Sequence, residues 1–109
     1  MKPEYLDRLN VWCEEEMASL RVKGATEQDF KEPVLANAIL KTILGKHSDK
    51  IRSNKEFAMA IFLVFFKNLS PSEVRKMAAK DRADGNLEIA YNLELIADHR
   101  ERGDFGADR

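Results

Sequence analysis

EFAMAIFLVFFKNLSPSEV, residues 56–74, carries ten consecutive apolar residues, Phe57 to Phe66, in a chain that is 34% charged. A membrane helix, a buried strand and a buried helix can each accommodate such a run. A helix that spans a bilayer takes about 20 apolar residues, and this run offers half that number between Lys55, Glu56 and Lys67, Asn68. A buried strand would suit the composition of Ile61 to Phe66. The flanks decide for a helix: Ser53 or Asn54 supplies an N-cap, and Ala58, Met59, Ala60 and Leu63 favour helical backbone. A short helix that is apolar all round belongs at the centre of a bundle. The segment from Asn54 to about Leu69 is therefore expected to be a core helix, and the fold an all-α bundle of about five helices packed around it.

Working outward, Ser70, Pro71 and Glu73 form a capping-box pattern that starts the next helix. Val74, Met77 and Ala78 should face the core, and Arg75, Lys76, Lys80 and Arg82 the solvent. Gly85 in "ADGN" is placed for a left-handed turn. Asn86 can then cap a last helix reaching about Arg102. That helix has two apolar stripes: Ile89, Ala90, Leu93, Ile96 and Ala97 on one face, Leu87, Tyr91 and Leu95 on the next. Two stripes mean either burial over a wide arc or a partly exposed apolar surface.

On the other side, Pro33 starts a helix running to about Leu44, with Leu35, Ala38, Ile39, Thr42 and Ile43 inward, Val34 and Leu40 flanking, and Gly45 as its stop. "KHSDKIRS", residues 46–53, is polar apart from Ile51 and is expected to be a loop. Thr26 and Asp29 cap one short turn carrying Phe30. The first helix runs from Pro3 to about Leu20 with Leu6, Leu9, Cys13, Met17 and Leu20 at helical spacing, ending near Gly24.

The 109 residues suit one domain, 1–109, with 103–109 as a frayed tail unless Phe105 docks. A formal charge of −1 provides no global attraction to nucleic acid or anionic lipid. The lone Cys13 excludes an internal disulfide, and "MKPEYLDRLN" lacks the apolar region of a signal peptide, so a cytoplasmic location and no membrane association are expected.

Motifs for chemistry are few. His47, Ser48 and Asp49 are adjacent, and the three members of a catalytic triad must converge in space, which neighbours in a loop do not do. His99 sits where the helix dipole favours a cation. Glu94 and Asp98 lie one turn apart near His99, a spacing equally common on solvated faces. The chain has no metal motif of Cys and His and no phosphate-cradling glycine loop, so no metal, no cofactor and no enzymatic activity are expected.

If the last two helices formed a helix-turn-helix, the second would present Asn86, Leu87, Glu88, Ile89 and Tyr91 to the groove, with no cation before Arg100. Binding of nucleic acid through Arg75, Lys76, Lys80 and Arg82 is thus the alternative function, and a small enzyme the third. Recognition of a protein partner is the leading expectation. Its candidate residues are Tyr91, Asn92, Glu94, Leu95 and Asp98 in the last helix and Glu14, Glu15 and Glu16 in the first, because aromatics anchor interfaces and carboxylates steer basic partners. In size and composition the chain is similar to the small bacterial immunity proteins that block a cognate toxin, a likeness of profile carried by no motif. That likeness implies a module that neutralises or regulates a basic toxin or nuclease, with a second copy of the chain as an alternative partner.

Overall fold

The computed structural model describes residues 3–103, so the expected frayed tail and the docking of Phe105 fall largely outside the described residues. Six α-helices follow in order: α1 (Pro3–Val22), α2 (Pro33–Lys46), α3 (Ser48–Ser53), α4 (Lys55–Phe65), α5 (Pro71–Ala83) and α6 (Leu87–Arg102), with a 3-10 turn at Asp29–Lys31 and no strand among the described residues. The all-α expectation holds. None of these helices is long and apolar enough to cross a membrane.

The local signals act as the chemistry of helix ends requires, except at Asn86, whose side chain makes no cap bond to α6 and donates to Asp81 instead. The Asn54 carboxamide accepts the Glu56 N–H at the start of α4. Ser70 and Glu73 form the reciprocal capping box of α5. At Gly24 and Gly85 the backbone turns left-handed, with φ of 104° and 87°. Each turn bonds back to its helix, through Ala25 N–H to Leu20 and Gly24 N–H to Arg21, and through Asn86 N–H to Asp81 and Gly85 N–H to Arg82. These are paired Schellman closures, which satisfy terminal carbonyls at positions where a Cβ would be strained.

Three expectations are corrected. Residues 48–53 form α3 rather than a loop, because Ile51 is fully buried and Ser48 nearly so. One apolar residue in six leaves no periodicity to detect. Gly45 does not end α2, which continues to Lys46. His47 closes it, its N–H bonding to Ile43 while its own carbonyl accepts the Lys50 and Ile51 N–H groups of α3. The inner face of α2 is also rotated. Ile39, Leu40, Ile43 and Leu44 are buried, while Ala38 and Thr42 are exposed and Val34 is 81% exposed. Because α2 packs against both α1 and α6, its buried arc shifts from Ala38 and Thr42 toward Leu40 and Leu44.

The buried apolar residues form one cluster. Every residue of α4 from Phe57 to Phe62 is buried, and α4 packs against α1, α3 and α6. The helix α6 shares the centre, packing against α2, α3, α4 and α5. The far end of α4 is less enclosed. Leu63 and Phe65 are only partly buried and Val64 is 45% exposed, since α2 and α5 make no more than marginal contact with that helix.

An aromatic stack fastens α1. The Trp12 indole lies parallel to the His47 ring at 3.8 Å and to Phe57 at 5.0 Å, and Tyr5 meets Phe57 edge-on at 4.9 Å. The Tyr5 hydroxyl accepts from the Asn54 carboxamide at 2.9 Å. Burial pushes the His47 pKa down, helped by Lys46 and Lys50 and opposed by Glu15 and Glu16. The folded state thus binds this proton less readily than the unfolded chain, and stability rises with pH between the depressed value and the ordinary one of 6.5. Lowering the pH from about 7.5 to about 5.5 should lower Tm, and His47→Gln should flatten that dependence. An unchanged slope in the variant would place the titration elsewhere.

Candidate partner-binding surface

The α6 face is built differently from what the sequence suggests. Tyr91 is half exposed and Leu87 is 63% exposed, so the second stripe is partly a surface. The Arg52 guanidinium lies 4.3 Å over the Tyr91 ring and also bonds Glu88 at 2.6 Å, which ties α3 to α6. Leu95 is partly buried. Asn92 is not on this surface at all: it is fully buried, and its amide donates to the Leu44 carbonyl at 2.7 Å and to Ser48 Oγ at 2.9 Å. The Ser48 hydroxyl in turn donates to Glu88. That bond and the nearby Arg52 hold the Glu88 carboxyl below the usual carboxylate range. Asn92 is therefore the polar pin joining α2, α3 and α6, and it leaves the set of partner-binding candidates.

Glu94 and Asp98 are not loose steering charges either. Glu94 pairs with Arg82, and Arg75 is shared by Asp98 and Glu101, both at 2.7 Å. Across the turn at Gly85, two arginines seven residues apart face two glutamates seven residues apart. The same pairs withdraw Arg75 and Arg82 from a nucleic-acid face, leaving Lys76 and Lys80 exposed. Lys41, at 3.1 Å, answers the buried Asp81.

The side chains of His47, Ser48 and Asp49 diverge. His47 stacks on Trp12 of α1 while Ser48 turns to α6, and Asp49 is exposed. His99 lies beside Arg102 at the end of α6. Burial, with Glu14 beside it, pushes the Cys13 thiol pKa up. Among the described residues, no three of the His, Cys, Asp and Glu side chains are placed to hold a metal ion.

The acidic run of α1 divides in two. Glu16 turns to Lys46 at 3.1 Å with its side chain only 16% exposed. Glu14 and Glu15 stay in solvent, and the Glu14 side chain is 67% exposed with Arg21 at 3.8 Å.

Beside them lies a surface that the sequence reading missed. Where α4 emerges from the core, one cleft of about 310 Å³ opens over Cys13, Met17, Phe30, Ile39, Val64 and Phe65, with Asn10 and Glu14 on its rim. A second, of about 450 Å³, opens over Val34, Leu40, Phe65, Phe66, Leu69 and Met77. Phe65 and Ala36 line both, so the apolar surface is continuous. The sequence holds no signal for it: Leu63 to Phe66 spread around the helix no more widely than Phe57 to Phe62, which are all buried.

Compared with known protein families, with curated proteins and with solved structures, the chain matches none.

Proposed function

We propose that the chain is a cytoplasmic protein-recognition module that neutralises or regulates a protein partner, in the manner of a toxin inhibitor. One observation carries this reading: the continuous apolar surface around Phe65, with Val64 at 45% and Val34 at 81% exposure. Contiguous exposed apolar surface rimmed by polar groups marks sites of association in soluble proteins. Aromatic and aliphatic anchors at the centre of such a surface supply most of the binding energy.

A photo-crosslinking amino acid placed at Val64 tests it, because an exposed position accepts the change without unfolding the chain. Irradiation of expressing cells should yield one discrete heavier species from position 64 and none from Lys76, an exposed position of α5 that lines neither cleft. Phe65→Ser should abolish that species. Equal labelling from both positions, or none from 64, would remove the proposal.

A further inference from the structure

We propose that the cleft between α1 and the emerging end of α4 receives a basic amphipathic helix of the partner, its apolar side on Val64 and Phe65 and its lysines or arginines along Glu14 and Glu15. The inference rests on the protein-recognition reading above and adds the chemistry of what is recognised.

The first support is the chemistry of the walls. The floor is Cys13, Met17, Val64 and Phe65, and among the described residues the one charged side chain lining this cleft is the carboxylate of Glu14. Asn10 and Glu14 also border the outer face of α1, where Val11 is 56% exposed, Glu15 and Ala18 continue the surface and Arg21 closes its far end. A partner lying here meets apolar carbon on one side and carboxylates on the other, which is the pattern complementary to a basic amphipathic helix.

The second support is the distribution of charge. Residues 11–32 carry six carboxylates against three basic residues, although the whole chain is nearly neutral. Which carboxylates remain available is decided by the ion pairs. Glu88, Glu94, Asp98 and Glu101 are held by Arg52, Arg82 and Arg75, and Glu16 by Lys46. Arg21, whose guanidinium stands 5.1 Å over the Phe30 ring at the cleft, forms a fork onto Glu27 at 2.8 Å and 3.5 Å and stands farther from Glu14. Glu15 has no ion pair among the described residues. Glu14 and Glu15 therefore hold no helix in place and are oriented toward solvent beside an open apolar floor. Their attraction should act mainly on association and weaken with salt, while the apolar anchors set the lifetime of the complex.

The test uses two fluorescein-labelled helical peptides of equal length, one with Leu and Lys at amphipathic spacing and one with Leu and Glu. Anisotropy titrations at low salt should show the Leu/Lys peptide binding at least about tenfold more tightly, a gap of about 1.4 kcal/mol, with the difference closing in concentrated NaCl. The double variant Glu14→Lys, Glu15→Lys should remove the preference, and Val64→Ser should weaken the Leu/Lys complex. Cys13 reports the location, since it lines the cleft and is the chain's single cysteine. Saturation with the Leu/Lys peptide should slow its reaction with a thiol reagent several-fold.

Equal binding of the two peptides would overturn the proposal, as would unaltered Cys13 reactivity in the complex. So would a concentration-dependent dimer that Val64→Asp dissociates, because a second copy would then cover the cleft. If cross-linking at Val64 captures a partner and the Leu/Lys peptide fails, recognition stands and the basic helix falls. If both fail, both proposals fall.

Discussion

Ile61→Asp is expected to abolish the cooperative thermal transition, whereas Val64→Asp, one turn further along α4, should leave Tm within a few degrees of the parent. Ile61 is fully buried at the middle of the core helix. Its replacement loses about 2 kcal/mol of apolar burial and places an unpaired carboxylate where water cannot reach it, a combined effect of more than about 4 kcal/mol. That is comparable with the entire net stability of many small domains. At Val64 the same carboxylate is in solvent and forfeits only part of a side chain's burial. Leu63→Asp should fall between the two, since Leu63 is partly buried. Circular dichroism melts of the three variants provide the measurement. If Val64→Asp destabilises as strongly as Ile61→Asp, α4 is enclosed on all sides and there is no open cleft around Phe65.

The graded response of one helix to one substitution also marks where sequence reasoning succeeds. The centre of α4 was legible because ten apolar residues between capped, charged flanks allow few packings. Ser70 with Glu73, and Gly85, were legible because caps and left-handed turns are decided by neighbours in the chain. The short helix α3 was not, since its helicity depends on Ile51 entering a core built by α4 and α6. On α2, the expected face and the observed one share Ile39 and Ile43, and packing against α1 and α6 buries Leu40 and Leu44 in place of Ala38 and Thr42.

The candidate site was less legible for a related reason. Whether a carboxylate is a structural strut or a free charge depends on what lies opposite it in space. Glu94 and Asp98 have arginines of the neighbouring helix opposite, whereas Glu14 has only Arg21 of its own helix at 3.8 Å and Glu15 has no ion pair among the described residues. The heptad spacing of Arg75 and Arg82 against Glu94 and Glu101 across a glycine turn does foreshadow the antiparallel ladder. No comparable pattern in the sequence announces that the far end of α4 is left uncovered.

Asn92 gives the sharpest contrast between the two levels of description. On a solvated helix face, Asn92→Asp would be nearly silent, since it changes one atom type and no volume. In the fold, that atom is the amide nitrogen, and it donates to the Leu44 carbonyl at 2.7 Å and to Ser48 Oγ at 2.9 Å within a fully buried site. An introduced carboxylate has no proton for either acceptor, and Glu88 already receives the Ser48 hydroxyl. The variant thus sets an oxygen against a carbonyl oxygen and a charge near a second carboxylate. An uncompensated buried charge of this kind costs about 3–5 kcal/mol.

The only way to restore a donor is to protonate the new acid, so its pKa in the folded state must rise above that in the unfolded chain. Its contribution is then fully present below the unfolded value of about 3.9 and lost as pH rises through the folded value. Asn92→Asp should lower Tm steeply at pH 7, and the deficit relative to the parent should shrink as the pH approaches 4. Asn92→Leu, which also removes the donor, should be destabilised without that pH dependence. If Asn92→Asp melts like the parent at pH 7, Asn92 faces solvent and returns to the α6 recognition face.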